Sequence, residues 1–322
     1  MLDKKWVLVQ PSHPNGVLCP PDMPWTNDSF HMLSKQFQAP CYRIEESNIP
    51  MDADAYMLCS FDINLIEREI SFVSQVQERG AKVIIGFSQD LRFLLGDGLL
   101  NSRGALYTDL CEQADVVSAG VNPSLGIYGR FHHKAIPLGE IIEDVNFHDS
   151  SIEKKYDFSA CGAVSEYALA FQLEILLSVK EQYPDHRVAC IISHGANELR
   201  QVLAKKYPKI EFPLDLQTNP NLLSYIKESK VFCNPELRPR PGRTSMEAYY
   251  CRVPFISSEF TYHSRICPDF TYDRMSITDI VDKYSLIVNS DREQVIKDME
   301  ERAKYDHFEN AYGRIEKAFG WK

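Results

Sequence analysis

Short apolar runs alternate with longer segments of helical periodicity along the first half of the chain. Each run is about the length of a buried strand, and the segments between them repeat apolar residues every three or four positions. Strands that alternate with helices predict a parallel sheet covered on both faces. The predicted strands are 6–10, 56–59, 82–86, 115–118 and 133–137, and the predicted helices are 65–76 and 105–113.

A polar, charged stretch over 139–155 contains few apolar anchors, and the alternation begins again after it. We therefore expect two domains, 1–150 and 151–322, with the last helix placed to pack back on the first domain. The segments predicted in the second half are strands 158–162, 188–192, 210–212, 231–233 and 253–257, and helices 167–180, 197–206, 222–229, 245–251, 292–304 and 310–319.

The composition agrees with a folded two-domain chain, and the net charge is distributed unevenly along it. The 322 residues are 44% hydrophobic and 25% charged, which excludes a disordered or collagen-like chain. The net charge is −10, of which residues 1–150 contribute −9 (11 Lys and Arg against 20 Asp and Glu). An acidic first half argues against a polyanion docking there through the bulk field.

The cysteines indicate a reducing compartment. All 9 are widely spaced, no CxxC pair occurs, and neither a zinc site nor a disulfide framework is indicated. The apolar run before Pro11 is too short for a signal peptide, and no window has the 18 or so apolar residues of a membrane span. We expect a cytoplasmic protein without a transmembrane segment or a bound metal.

The most specific motif lies in the second half. It reads G-R-T-S-M-E-A over 242–248 and C-R-V-P-F-I over 251–256. This segment is similar to the pattern G-x-x-x-x-E-A-x-x-x-x-x-P-x-I of B-type (GT-B fold) glycosyltransferases, and the order of strands and helices over 135–257 resembles the nucleotide-sugar domain of the retaining family 4 group. The resemblance implies an α/β fold with two Rossmann-like, doubly wound parallel-sheet domains that face a cleft.

The resemblance also implies a donor site. The glutamate of the family motif binds the donor ribose, and that role falls to Glu247. A diphosphate leaving group needs positive charge and helix N-terminal amides. Arg238, Arg240 and Arg243 supply three guanidinium groups just before the helix, and Thr244 and Ser245 can cap it with their hydroxyls. The alternatives are a solvated arginine loop and a surface carboxylate.

The chain departs from the family at three places. Pro239 stands where the family has an acidic residue eight positions before Glu247, and no Lys or Arg follows the strand ending near Gly162. The histidine that the family carries after the strand over 82–86 is also missing. These departures favour either altered acceptor chemistry or a loss of activity.

Two loops of the first half carry further candidates. Gly16 permits close backbone approach to a phosphate, and His13 could act as acid, base or phosphate ligand, or be a loop histidine without function. Asp90 could accept a hydrogen bond from an acceptor hydroxyl, or could cap the following segment.

The sequence thus predicts a glycosyltransferase that uses a nucleotide-sugar donor as substrate and needs no separate cofactor. It is expected to be metal-independent and, by resemblance, retaining. The acceptor is expected to be a small molecule, a protein or a glycan; a nucleic-acid acceptor, as for phage enzymes that glucosylate DNA bases, stays open. The alternatives are a catalytically inactive ligand- or protein-binding relative of the same fold and a nucleotide-sugar epimerase.

Overall fold

The protein forms two compact units. The structure, a computed structural model, describes residues 3–10, 37–59, 64–86, 103–119, 133–137, 147–161, 166–192, 197–213, 219–236, 243–259, 261–273 and 276–321. Unit 1 consists of Met1–Ile141 and Asp306–Lys322, and unit 2 of Ile142–Tyr305. Unit 1 is therefore built from two separate stretches of chain, whereas unit 2 is continuous.

Unit 1 contains a six-stranded parallel sheet in the order β2-β1-β3-β4-β5-β6. Its central strands are apolar on both sides, as strands covered by helices on both faces are. The strands are β1 (Trp6–Gln10), β2 (Cys41–Arg43), β3 (Ala55–Cys59), β4 (Lys82–Gly86), β5 (Val116–Ala119) and β6 (Ala135–Pro137).

Helices cover both faces of this sheet. On one face, α1 (Ile66–Glu78) and α2 (Arg103–Gln113) pack on alternate residues of β1, β3 and β4. Gly80 turns the chain from α1 into β4 at φ +85°, a left-handed conformation that suits glycine. The opposite face is covered from the far end of the sequence, by α9 (Phe308–Phe319).

Trp6 is the centre of the contact between α9 and the sheet. Its ring lies 4.7 Å from the ring of Phe37 and 6.0 Å from that of Phe319, between centroids. Ala311 and Ile315 of α9 are fully buried against the same face. Aromatic contacts of this kind contribute about 0.5–1.5 kcal/mol each beyond area burial, so α9 is an integral layer of unit 1.

Unit 2 contains a five-stranded parallel sheet in the order β11-β10-β9-β7-β8. Its strands are β7 (Tyr156–Cys161), β8 (Val188–Ile191), β9 (Ser229–Asn234), β10 (Phe255–Ser258) and β11 (Thr271–Tyr272). Its helices are α3 (Glu166–Gln182), α4 (Asn197–Lys206), α5 (Asn219–Lys227), α6 (Arg243–Tyr250), α7 (Ile277–Val288) and α8 (Arg292–Ala303).

The predicted fold class, α/β with two parallel-sheet domains, is confirmed. At the level of elements, β2, β11 and α7 were not predicted. The strand predicted over 210–212 is reduced to a single bridge between Ala189 and Glu211. Ser229, which was assigned to a helix, is the first residue of β9.

Candidate functional site

The order of strands in unit 2 reverses at β7. The chain passes from β7 to β8 on one side and then returns to β9 on the other. In open parallel sheets, ligands bind beyond the carboxyl ends of the strands at such a reversal. The carboxyl ends of β7 and β9, at Cys161 and Asn234, therefore mark the candidate site of unit 2.

A buried hydrogen bond joins helix α6 to the end of β9. The Asn234 side-chain amide donates to Ser245 Oγ at 3.1 Å, and both side chains are buried. Ser257 of β10 pairs in register with Asn234, so these two side chains leave the same face of the sheet. The first turn of α6 is thus held at the carboxyl edge of the sheet, where helix N-terminal amides can face an anion.

Glu247 brings a carboxylate close to the carboxyl end of β7. It lies two residues after Ser245 in α6, and only 2% of its surface is exposed. Its negative charge reaches Cys161 at the end of β7: burial, and after it the charge of Glu247, raises the pKa of the Cys161 thiol. Carboxylates are rarely this buried in proteins, so the sequence places a costly group at the strand reversal.

Further buried polar side chains, which the sequence pattern did not predict, surround the carboxyl ends of β7 and β8. Gln172 of α3 donates its amide to the carbonyl oxygens of Ala160 (2.6 Å) and Ile191 (3.0 Å). Arg200 of α4, 4% exposed, donates through Nη2 to the carbonyl of Ile192 at 2.9 Å. Both occupy positions in helices where an apolar residue would fit the pattern equally well, so periodicity gave no signal for them.

His263 is buried beyond the end of β10. It belongs to a short 3-10 helix, Tyr262–Ile266, and is fully inaccessible to solvent. Within the described part of the chain, neither of its ring nitrogens has a hydrogen-bond partner. Burial, reinforced by the positive charge of Arg265, lowers the pKa of His263 to about 3. This histidine is therefore neutral at physiological pH.

The structure brings three of the predicted donor residues together and corrects the role given to two. Thr244 and Ser245 were expected to cap the helix, but α6 already begins at Arg243, so they lie inside its first turn. The hydroxyl oxygen of Ser245 accepts the hydrogen bond from Asn234. Glu247 lies in the same helix. Of Arg243 the structure describes the backbone position only.

The remaining predicted residues lie outside the described residues. Among them, Arg238 and Arg240 precede α6 in the sequence. His13 and Gly16 follow β1, and β1 is the strand at which the order of the unit 1 sheet reverses. Asp90 follows the carboxyl end of β4.

The described residues hold no group of three or more His, Cys, Asp or Glu side chains that could bind a metal ion. The seven cysteines whose side chains are described are free thiols. No helix within the described ranges combines the length and the apolar character needed to cross a membrane.

Comparisons with known proteins address the fold. No protein-family model matches the sequence, and no curated protein matches it. Among solved structures, the chain is similar to the N-terminal domain of a trehalose-6-phosphate phosphatase from Candida albicans. That match has a TM-score of 0.62 and 10% identity, over 99% of this chain and 97% of that one.

A synthase and a transferase also match over most of their length. A UDP-forming α,α-trehalose-phosphate synthase from Burkholderia xenovorans gives a TM-score of 0.59 at 10% identity, over 84% of this chain and 74% of that one. An O-GlcNAc transferase from Thermobaculum terrenum gives 0.57 at 12% identity, over 98% and 67%. The fold is the GT-B fold of glycosyltransferases. At identities of this size, the GT-B fold is what the comparisons establish.

Proposed function

We propose that this protein is a glycosyltransferase that moves a sugar from a nucleotide-sugar donor to an acceptor. The observation that carries the proposal is the buried carboxylate of Glu247, which α6 holds at the strand reversal of unit 2, in the GT-B fold. Among similar structures, the pneumococcal O-GlcNAc transferase GtfA (TM-score 0.56, 10% identity) was determined in complex with UDP and GlcNAc.

The proposed donor site uses the carboxyl edge of the unit 2 sheet. Glu247 accepts hydrogen bonds from the ribose hydroxyls, and the amides at the start of α6 face the diphosphate. Arg238 and Arg240 precede this helix in the sequence and Arg243 is its first residue, and their guanidinium groups stabilise the negative charge that develops as the glycosidic bond breaks.

The finer features of the reaction follow from the same assignment. Because guanidinium groups and amides supply the positive charge, the transfer is proposed to be metal-independent, and by resemblance it is proposed to be retaining. His13 and Asp90 are proposed to serve the reaction from the acceptor side, in the acidic first half of the chain. An acceptor without a strong negative charge, such as a small molecule, a protein or a glycan, fits that acidity.

A thermal-shift screen tests the donor site. UDP-, GDP-, ADP- and TDP-sugars are added to the wild-type protein, to Glu247→Gln and to Arg240→Ala. A donor present at 100 times its Kd adds about 2.7 kcal/mol of stability. We expect one nucleotide class to raise the Tm of the wild type, and both variants to lose most of that shift.

Matched controls separate binding from general damage. Glu198→Gln changes an exposed carboxylate in the first turn of α4, and Arg302→Ala changes a surface arginine. In both controls the nucleotide should raise the Tm by as much as in the wild type. If no nucleotide stabilises the wild type, or if the two site variants respond as the controls do, the donor-site assignment is wrong.

A non-catalytic binding protein is the second candidate. The full burial of Ser245 and the near-complete burial of Glu247 favour it, because covered side chains can serve packing alone. Hydrolysis of the stabilising donor separates the two functions. Slow release of free sugar that is lost in Glu247→Gln supports the enzyme, whereas binding without any release in the presence or absence of acceptors supports the binding protein.

A further inference from the structure

Two helices of unit 2 expose pairs of aliphatic side chains. On α4, Leu199 is 39% exposed and Val202 is 60% exposed. On α7, Leu286 is 49% exposed and Val288 is 42% exposed. Burying such side chains is favourable, so each pair could be covered by something outside the unit. The charges around the two pairs differ.

On α4 the aliphatic pair continues into a group of lysines. Leu199, Val202 and Lys206 are spaced by three and four residues and therefore share one stripe of the helix, with Lys205 beside it. Lys209 follows shortly after the helix ends. All three lysines are exposed, and none forms an ion pair with a described carboxylate. The outer face of α4 thus carries the aliphatic pair and one exposed carboxylate, Glu198, at its start and lysines at its end.

Helix α7 provides the contrast. Its exposed pair shares the helix with Asp279 and Asp282 and with a single cation, Lys283. A pair of exposed aliphatic side chains is therefore found once on a helix with two lysines in its last turn and once on a helix with two aspartates and one lysine. The favourable interaction of lysines with a helix C-terminus explains the position of Lys205 and Lys206. It does not explain why Leu199 and Val202 are left in water.

The side chains on α4 suit a lipid surface better than a protein surface. Protein interfaces are enriched in aromatic residues and arginine and are depleted of lysine. The α4 stripe combines aliphatic residues with lysines, which is the combination by which helices lie on anionic bilayers. Lysine ammonium groups can reach the headgroups while the aliphatic side chains enter the acyl boundary.

We propose that the outer face of α4, defined by Leu199, Val202, Lys205, Lys206 and Lys209, docks unit 2 onto an anionic phospholipid surface. The contact is peripheral, depends on both the aliphatic pair and the lysines, and weakens with salt because the lysines are exposed. It is independent of donor binding, so it stands whether or not the donor-site assignment is correct.

Vesicle sedimentation of the full chain tests this proposal. The vesicles are pure phosphatidylcholine or a mixture with one third phosphatidylglycerol. We expect the wild type to partition onto the anionic vesicles at least tenfold better than onto the neutral ones, and to lose most of this binding in 0.5 M salt. Leu199→Gln/Val202→Gln and Lys205→Gln/Lys206→Gln should each reduce anionic binding several-fold.

The matched control is Leu286→Gln/Val288→Gln on α7, which should bind like the wild type. Unchanged circular dichroism and Tm show that each variant is folded. Equal sedimentation with neutral and anionic vesicles overturns the proposal, and so does an equal loss of binding in the α4 and α7 variants. If the α4 variants alter only self-association in gel filtration while no vesicle is bound, the face is an interface between copies and the lipid proposal is wrong.

Discussion

Burial holds His263 in its neutral form in the folded chain, and this lowers the free energy of unfolding at acid pH. The pKa of His263 is lowered to about 3 in the folded state, whereas an unfolded histidine titrates near 6.5. Below pH 6.5 the unfolded chain takes up a proton that the folded chain does not. The stability associated with this residue is therefore complete above pH 6.5 and falls steadily as the pH drops towards 3.

We expect the wild type to lose about 2 kcal/mol of unfolding free energy between pH 7 and pH 5 through His263 alone. In His263→Phe this contribution disappears, and no hydrogen bond within the described residues is lost with it. Urea unfolding at pH 7, 6 and 5 measures the difference between the two proteins. His133→Gln, which changes an exposed histidine, should follow the wild type. If the free energy of unfolding depends on pH equally in all three proteins, His263 is not the cause of the dependence.

At the level of single residues, the sequence predicted only the part of the candidate site that carries a motif. Glu247 and Ser245 were identified because they stand in the segment before P-x-I. Asn234 and Arg200 were not, because an apolar residue would satisfy the same positions and only the packing of helices on the sheet buries them. Whether Arg238 and Arg240 act on a donor stays a prediction.

At the scale of elements, the bond between Asn234 and Ser245 fastens α6 to β9. Removing one partner leaves the other buried without it, which costs about 1–3 kcal/mol. We expect Asn234→Ala and Ser245→Ala each to destabilise by that amount, and the double variant to lose about 1 kcal/mol less than the sum. Urea unfolding of the wild type, the two single variants and the double variant gives the coupling energy between Asn234 and Ser245.

Ser290→Ala, at the end of a different helix, is the control for that cycle. Combined with Asn234→Ala, it should be additive within about 0.5 kcal/mol. Full additivity of Asn234→Ala with Ser245→Ala would show that the hydrogen bond does not fasten the two elements.

The elements that the sequence pattern did not predict fall into two groups. The strands β2 and β11 have 3 and 2 residues, too few for any periodicity, and exist because a neighbouring strand offers its edge. Helix α7 carried a clear signal: Ser276 caps it by accepting from the Asp279 amide, and apolar residues follow at helical spacing. It could have been predicted from the sequence.

At the scale of the whole molecule, the two units differ in how the chain builds them. Unit 2 is one continuous segment, Ile142–Tyr305, whereas unit 1 needs α9 from beyond it. We expect a fragment of residues 142–305 to unfold cooperatively in urea. A fragment of residues 1–141 should lack a cooperative transition, because the face around Trp6 is uncovered, and should regain one when a peptide of residues 306–322 is added.

Circular dichroism and tryptophan fluorescence follow both fragments. A peptide of the same composition in scrambled order is the control, since it cannot present Ala311 and Ile315 on one side. Cooperative folding of the 1–141 fragment without peptide would show that α9 is not needed for unit 1.

The position of α9 also sets an order of events during synthesis. Domains generally fold as units while the ribosome is still producing the chain. Unit 2 has all its residues once Tyr305 has emerged, but unit 1, although translated first, still waits for the segment that covers Trp6. During that interval the apolar residues that α9 later covers, Trp6 among them, stay exposed on the nascent chain, and this is the stage at which we expect a chaperone to bind it.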